Sequence, residues 1–228
     1  MKTLISTSLI ILLIISTALG QENKFQVGVD GGPSSSQIYG YDSYFGNFFF
    51  ASSLAFSVSS TFQYNFTNHI ALVSGIGYER KGNQMKDYAS YLTDEFGNPI
   101  GPFKIKVNYN YINIPLQVRY TMGVNDFRFF ANFGGYLGLL TNATSKLVGD
   151  SNPNIDQGDI SEYIQSSDFG ISGGLGTQYA ISNAITISLE IRNNLGLYNV
   201  SKSASYTGGT NKLNTTNLLI GVNYGFGK

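Results

Sequence analysis

The sequence predicts an all-β protein, an eight-stranded antiparallel up-and-down transmembrane β-barrel with long extracellular loops and short periplasmic turns. Three observations carry this. Eight segments alternate apolar and polar residues with period two, the mark of a strand with two unlike faces. Short and long connections alternate strictly between them. Charged residues make up only 12% of the chain, which is about half the usual share of a soluble globular domain.

In chain order, the first strand pairs Phe25, Val27 and Val29 against Gln26, Gly28 and Asp30. The second sets Leu54, Phe56, Val58, Phe62 and Tyr64 against Ser53, Ala55, Ser57, Thr61 and Gln63. The third sets Ile70, Leu72, Ile76 and Tyr78 against Ala71, Gly75, Gly77 and Glu79. The fourth is the clearest: Ile112, Ile114, Leu116, Val118 and Tyr120 alternate with Tyr111, Asn113, Pro115, Gln117 and Arg119. In the fifth, Phe127, Phe129, Phe133, Leu137 and Leu139 face away from Arg128, Asn132, Gly134, Tyr136 and Gly138. In the sixth, Phe169, Ile171, Leu175 and Tyr179 oppose Asp168, Ser172, Gly174 and Gln178. The seventh opposes Ile185, Ile187, Leu189 and Ile191 to Thr186, Ser188, Glu190 and Arg192. The eighth opposes Leu218, Ile220, Val222, Tyr224 and Phe226 to Asn217, Gly221, Asn223 and Gly225.

Short joins fall near 65–68, 123–126 and 182–183; long polar joins fall at about 33–52, 83–104, 141–166 and 199–214. In an up-and-down barrel this gathers the long loops at one rim, with the short turns and both termini at the other. An even strand count closes the sheet and leaves no open edge. The polar face carries few Lys and charges of both signs, which suits a narrow lumen better than a soluble exterior. The apolar face carries Tyr64, Tyr78, Tyr120, Tyr179 and Tyr224 near strand ends, where an aromatic girdle meets a bilayer interface. Lipid is therefore the expected surroundings.

The 14 Lys and Arg balance 14 Asp and Glu, so no basic excess points to nucleic acid. With no Cys among 228 residues, the sequence has no disulfide framework, thiolate metal site or Cys nucleophile. Residues 1–20 read as a cleaved signal peptide: Lys2, then an apolar run from Leu9 to Ile15, then small residues Ala18 and Gly20. Residues 21–228 then form a single outer-membrane barrel domain of a Gram-negative bacterium.

Several strands resemble those of the PorT-like outer-membrane β-barrel family of Bacteroidota. Gly75-Ile76-Gly77-Tyr78-Glu79-Arg80-Lys81-Gly82 is similar to its G-x-x-Y-x-x-K-G strand, and Tyr111-Ile112-Asn113-Ile114-Pro115-Leu116 to its Y-L-x-I-P-L strand. Phe130 to Gly138, Asp168-Phe169-Gly170 and Glu190 to Leu197 resemble three further strands. One departure is the end of the chain, where Gly227-Lys228 follow Phe226 and many barrels stop at an aromatic. The resemblance spans the mature chain and implies an outer-membrane barrel, with no single activity. The members that give the family its name assist secretion of gliding and protease cargo.

Glu79, Arg119, Glu190 and Arg192 share the lumen side by parity and are expected to form a structural charge network, since unpaired charge inside a narrow barrel is costly. Asp150, Asn152, Asn154 and Asp156 have the odd-position spacing of a calcium loop. They lack its glycine at the sixth position, where Ile155 stands, and its terminal Glu, so no metal is expected. His69 is the sole histidine, without partners for a triad or metal, and no catalytic residue or cofactor site is expected. The first long loop is aromatic (Tyr39, Tyr41, Tyr44, Phe45, Phe48, Phe49, Phe50), which suits either a surface contact or the girdle of strand two. The resulting expectation is a monomeric, non-enzymatic outer-membrane protein with a structural, surface-interaction or secretion-accessory role, meeting an envelope or extracellular protein through its loops. The alternatives are a soluble lipocalin-like barrel holding a small apolar ligand, and a small outer-membrane enzyme or narrow channel.

Overall fold

The computed structural model describes residues 23–40, 50–85, 103–123, 125–149, 155–202 and 210–227. The strands are β1 (Phe25–Tyr39), β2 (Phe50–Asn65), β3 (Ile70–Met85), β4 (Phe103–Met122), β5 (Phe127–Gly149), β6 (Ile155–Asp159), β7 (Ser167–Ala180), β8 (Ile185–Gly196) and β9 (Lys212–Phe226). Each neighbours the next in antiparallel register, except that β7 pairs with β5. β4 pairs with β5 and β1 with β9, so eight strands close into a barrel. The short β6 lies outside that closed ring and pairs only with the upper end of β5.

The apolar side chains point outward. Leu54 is 84% exposed, Leu175 70% and Ile220 66%. Such a surface is stable only against lipid, and it displaces the soluble lipocalin-like alternative. Tyr64, Tyr120, Tyr179 and Tyr224 ring the end that bears the short turns, while Tyr78 stands towards the opposite end. At the short-turn rim Phe25 lies 5.2 Å from the Tyr64 ring and 5.9 Å from Phe226, closing the seam between the first and last strands with aromatic contacts.

The short turns are fixed locally. Thr67 Oγ1 accepts hydrogen bonds from the amides of His69 (3.1 Å) and Ile70 (2.9 Å). Ser182 Oγ does the same for Ala184 (3.3 Å) and Ile185 (3.1 Å). Hydroxyl-to-backbone bonds of this kind reverse a chain within a few residues. Between β4 and β5, Gly123 (φ 127°) and Asn125 (φ 62°) supply the left-handed conformations.

The strands run longer than the alternation alone indicates. β4 begins at Phe103 and β5 runs 23 residues to Gly149, so parts of the expected long joins at 83–104 and 141–166 are strand. The register shifts between Asn110 and Tyr111 because Thr141 is an extra residue on β5. Leu140 and Ala143 both join the interior cluster as a result. Above this level the faces invert. Tyr109 and Tyr111 are buried inside the barrel, while Lys104 is exposed on the outside.

Candidate functional site

The lumen is built in layers, each placed by the inward positions of the strands. At the periplasmic end a polar vestibule of about 700 Å³ is lined by residues including Asn65, His69, Asn125, Arg128, Gln178 and Asn183. His69 Nδ1 lies 2.9 Å from the Thr121 carbonyl oxygen. A carbonyl only accepts, so Nδ1 carries the proton.

Above the vestibule, three of the four expected network residues meet. Glu190 and Arg192, two apart on β8, share a face, and the guanidinium grips the carboxylate with Nε at 2.9 Å from Oε1 and a terminal nitrogen at 2.8 Å from Oε2. Arg119 approaches the same Glu190 from β4 at 3.8 Å. Its remaining donors are taken by Asn132 (2.8 Å) and Gln63 (2.9 Å), and its guanidinium lies 4.0 Å from the Phe130 ring centroid. Asp30 of β1 completes the layer at 3.5 Å from Arg192. Two cations and two carboxylates balance, and all four side chains are buried or nearly so. The free space left among Asp30, Gln63, Arg119 and Glu190 is about 10 Å³, at most the size of one water.

Glu79 stands apart from these three. Its Oε1 accepts from Asn194 (3.0 Å) and Asn217 (2.9 Å). Its Oε2 lies 3.7 Å from Lys81 Nζ, and that ammonium makes a 2.8 Å bond to Asp168. Tyr136 donates its hydroxyl to the same Asp168 oxygen at 3.0 Å, and its ring lies 4.2 Å below the ammonium. Between the two charged layers, Gln117 donates to Ser172 (2.8 Å) and Ser172 to Asn194 (2.6 Å). Lys81, Asp168 and Asp30 were absent from the four residues singled out by sequence. Parity is the signal that finds them: Lys81 is two residues from Glu79, and Asp168 and Asp30 lie on polar faces.

The outer end is capped by apolar side chains. Ile164 and Val200 come from the two segments before β7 and after β8, and they pack with Tyr109, Tyr111, Ala143 and Leu213. The segments are tied by the Ile164–Ser201 bridge and by bonds from Gln165 N to Val200 O (2.8 Å) and Lys202 N to Tyr163 O (2.9 Å).

Asp150, Asn152 and Asn154 fall outside the described residues; Asp156 stands in β6, and its side chain is likewise not described. Residues 1–20 and the loop aromatics Tyr41 to Phe49 also lie outside them. Among the described residues no group of three or more His, Cys, Asp and Glu is arranged to hold a metal ion.

A closed antiparallel barrel with an apolar outer belt, a charge-filled lumen and aromatic rims defines an outer-membrane β-barrel protein, embedded in lipid. The family model of the outer membrane protein beta-barrel domain matches residues 18–202, and the chain belongs to that family. No curated protein matches the sequence. Among solved structures the chain is similar to Neisserial surface protein A, at 17% identity and a TM-score of 0.46, covering 89% of this chain and 97% of that one. It is similar to the outer membrane protein OprG from Pseudomonas aeruginosa, at 14% identity and a TM-score of 0.42, covering 90% and 98%. It is also similar to Ail, the attachment invasion locus protein of Yersinia pestis, at 11% identity and a TM-score of 0.41, covering 89% and 99%.

Proposed function

We propose that this protein is a closed, non-enzymatic outer-membrane scaffold that carries its long loops to the cell surface for contact with an envelope or extracellular protein. The observation that supports this most is the Arg119–Glu190–Arg192–Asp30 layer, which spans the lumen and leaves about 10 Å³ of free space. Eight-stranded barrels have an interior just wide enough for side chains to fill, and this one is filled by groups that hold each other in place. A second, apolar closure at Ile164 and Val200 supports the same reading. The motif strands around Tyr78 to Gly82 and Ile114-Pro115-Leu116 favour the PorT-like branch, in which a secretion-accessory role is one option. Proteoliposomes loaded with an impermeant sugar test the closure. The barrel should swell them no faster than protein-free vesicles on transfer to small-sugar medium. Swelling that scales with protein content would make the protein a channel and sink the proposal.

A further inference from the structure

We propose that the outer wall of β3 and β4 is a binding site for a phosphate-bearing glycolipid of the outer leaflet, with Arg80 as its anchor. The outward positions of β3 and β4 change character at one level. Tyr78 on β3, whose ring lies 5.4 Å from that of Phe56, and Ile112 on β4 are the last outward apolar residues of these two strands, while Leu54 carries the apolar surface further out on the neighbouring β2. The next outward position on β3 is Arg80, and its guanidinium lies 5.6 Å from the Phe56 ring centroid. Its Nε donates to Asn110 Oδ1 at 3.0 Å, and that oxygen also accepts from the Tyr78 hydroxyl at 2.5 Å. The plane of the guanidinium is thus fixed from one edge. Among the described residues, its terminal nitrogens make no hydrogen bond of their own.

A lipid-facing arginine held in this way presents a planar pair of donors at the depth where acyl chains give way to headgroups. That geometry matches a phosphate monoester or diester. The same wall continues the charge. Lys106 and Lys104 share the outward face of β4 with Asn110, four and six residues further out. By strand rise, Lys106 stands about 14 Å above Arg80, within reach of a second anionic group on one headgroup. The outward positions between them, Gly82 and Gln84 on β3 and Asn108 on β4, carry no opposing carboxylate. Lys146 stands in register with Asp156 of β6 and is not counted in the site. An anionic glycolipid, with acyl chains along the Phe56 and Tyr78 surface and phosphate at Arg80, fits both halves of this wall; a free phosphate fits only one.

Fluorescent rough-type lipopolysaccharide, titrated into the detergent-refolded full chain and read by anisotropy, tests the site. The same glycolipid after phosphatase treatment, and inorganic pyrophosphate as competitor, form the other arms. Binding should weaken about tenfold when the phosphates are removed, and about as much in R80Q. Pyrophosphate at matched concentration should leave the glycolipid bound. If R80Q does not refold, the double variant K104Q/K106Q carries the test, and its binding should weaken at least several-fold. Equal binding after phosphatase treatment overturns the proposal. So does undiminished binding in a folded R80Q or in the lysine pair. Full displacement by pyrophosphate would assign the wall to a free phosphate and overturn the lipid reading.

Discussion

Lys81 Nζ and Asp168 Oδ2 stand 2.8 Å apart across the lumen, from β3 to β7, with both side chains buried. The two strands are not neighbours in the sheet, so this bond ties opposite walls. Replacing Lys81 by Met leaves two buried carboxylates, Glu79 and Asp168, without their cation. The loss is expected to cost about 3–5 kcal/mol, because breaking a buried pair strands the survivor. The double variant Lys81→Met, Asp168→Asn should recover part of that. Urea unfolding in detergent or lipid, read as a double-mutant cycle, measures the coupling; additive effects would show that the two residues act separately.

Arg119 satisfies Asn132, Gln63 and Glu190 at once and stacks on Phe130. Arg119→Ala should therefore lower the temperature at which the barrel band disappears on a heat-modifiability gel. Arg119→Lys should rescue little of it, since an ammonium cannot bridge these separated acceptors as the planar fork does. Full recovery by lysine would mean that charge alone matters at this position.

Gly170 faces the lumen where β7 approaches β8. A Cβ there would sit 2.0 Å from the Leu195 carbonyl oxygen and 2.8 Å from Gly196 Cα, both of them backbone atoms. Gly170→Ala must push two strands apart, and it is expected to destabilise by about 1–3 kcal/mol. Gly173→Ala in the same strand is the control, because its Cβ would meet only Asn132 O at 3.8 Å. Equal refolding midpoints for the two variants would contradict the close approach.

The outer cap should open before the barrel does. Leu213 is fully buried beneath Ile164 and Val200, and Leu213→Ala is expected to cost about 2–5 kcal/mol, felt mostly in the cap. Limited trypsinolysis at Lys202, whose amide is tied to the Tyr163 carbonyl, should then accelerate while the barrel band persists.

The cap also has an acid limit. The Ser161 hydroxyl, and then its amide at 2.7 Å, hold the exposed Asp159 carboxyl below its usual value. A carboxyl lowered in the folded state stabilises at neutral pH and loses that contribution as pH falls through its folded value. Exchange protection of the Ser161 amide should fall below about pH 4, and Asp159→Asn should remove that dependence. A pH-independent protection in the native chain would contradict the linkage.

Much of the barrel is legible in the alternation, because lipid outside and a polar lumen inside give each strand two unlike faces over its lower half. β4 shows where that stops. From Ile112 to Tyr120 the apolar residues point out. From Lys104 to Tyr111 the outward side chains are polar or charged and the interior is the apolar cap, so Tyr109 and Tyr111 point in and the polarity reverses. The combined stretch reads as a strand joined to a polar loop, although it is one strand. The Thr141 bulge hides the same continuity in β5. Arg119, Glu190 and Arg192 were legible because buried charge on a strand's inner face has few explanations. The separation of Glu79 into a second layer was not, since parity gives the face of a residue and not its height. Height comes from the stagger of the strands, which sets Glu79 opposite Tyr111 and away from Arg119.

Single-channel recording in planar lipid bilayers bears most directly on the closed lumen. The native barrel should show no resolved openings at moderate voltage, with the Arg119–Glu190–Arg192 layer and the Lys81–Asp168 bond intact. Stable, stepwise conductance of the unmodified protein, growing with the amount inserted, would contradict the account.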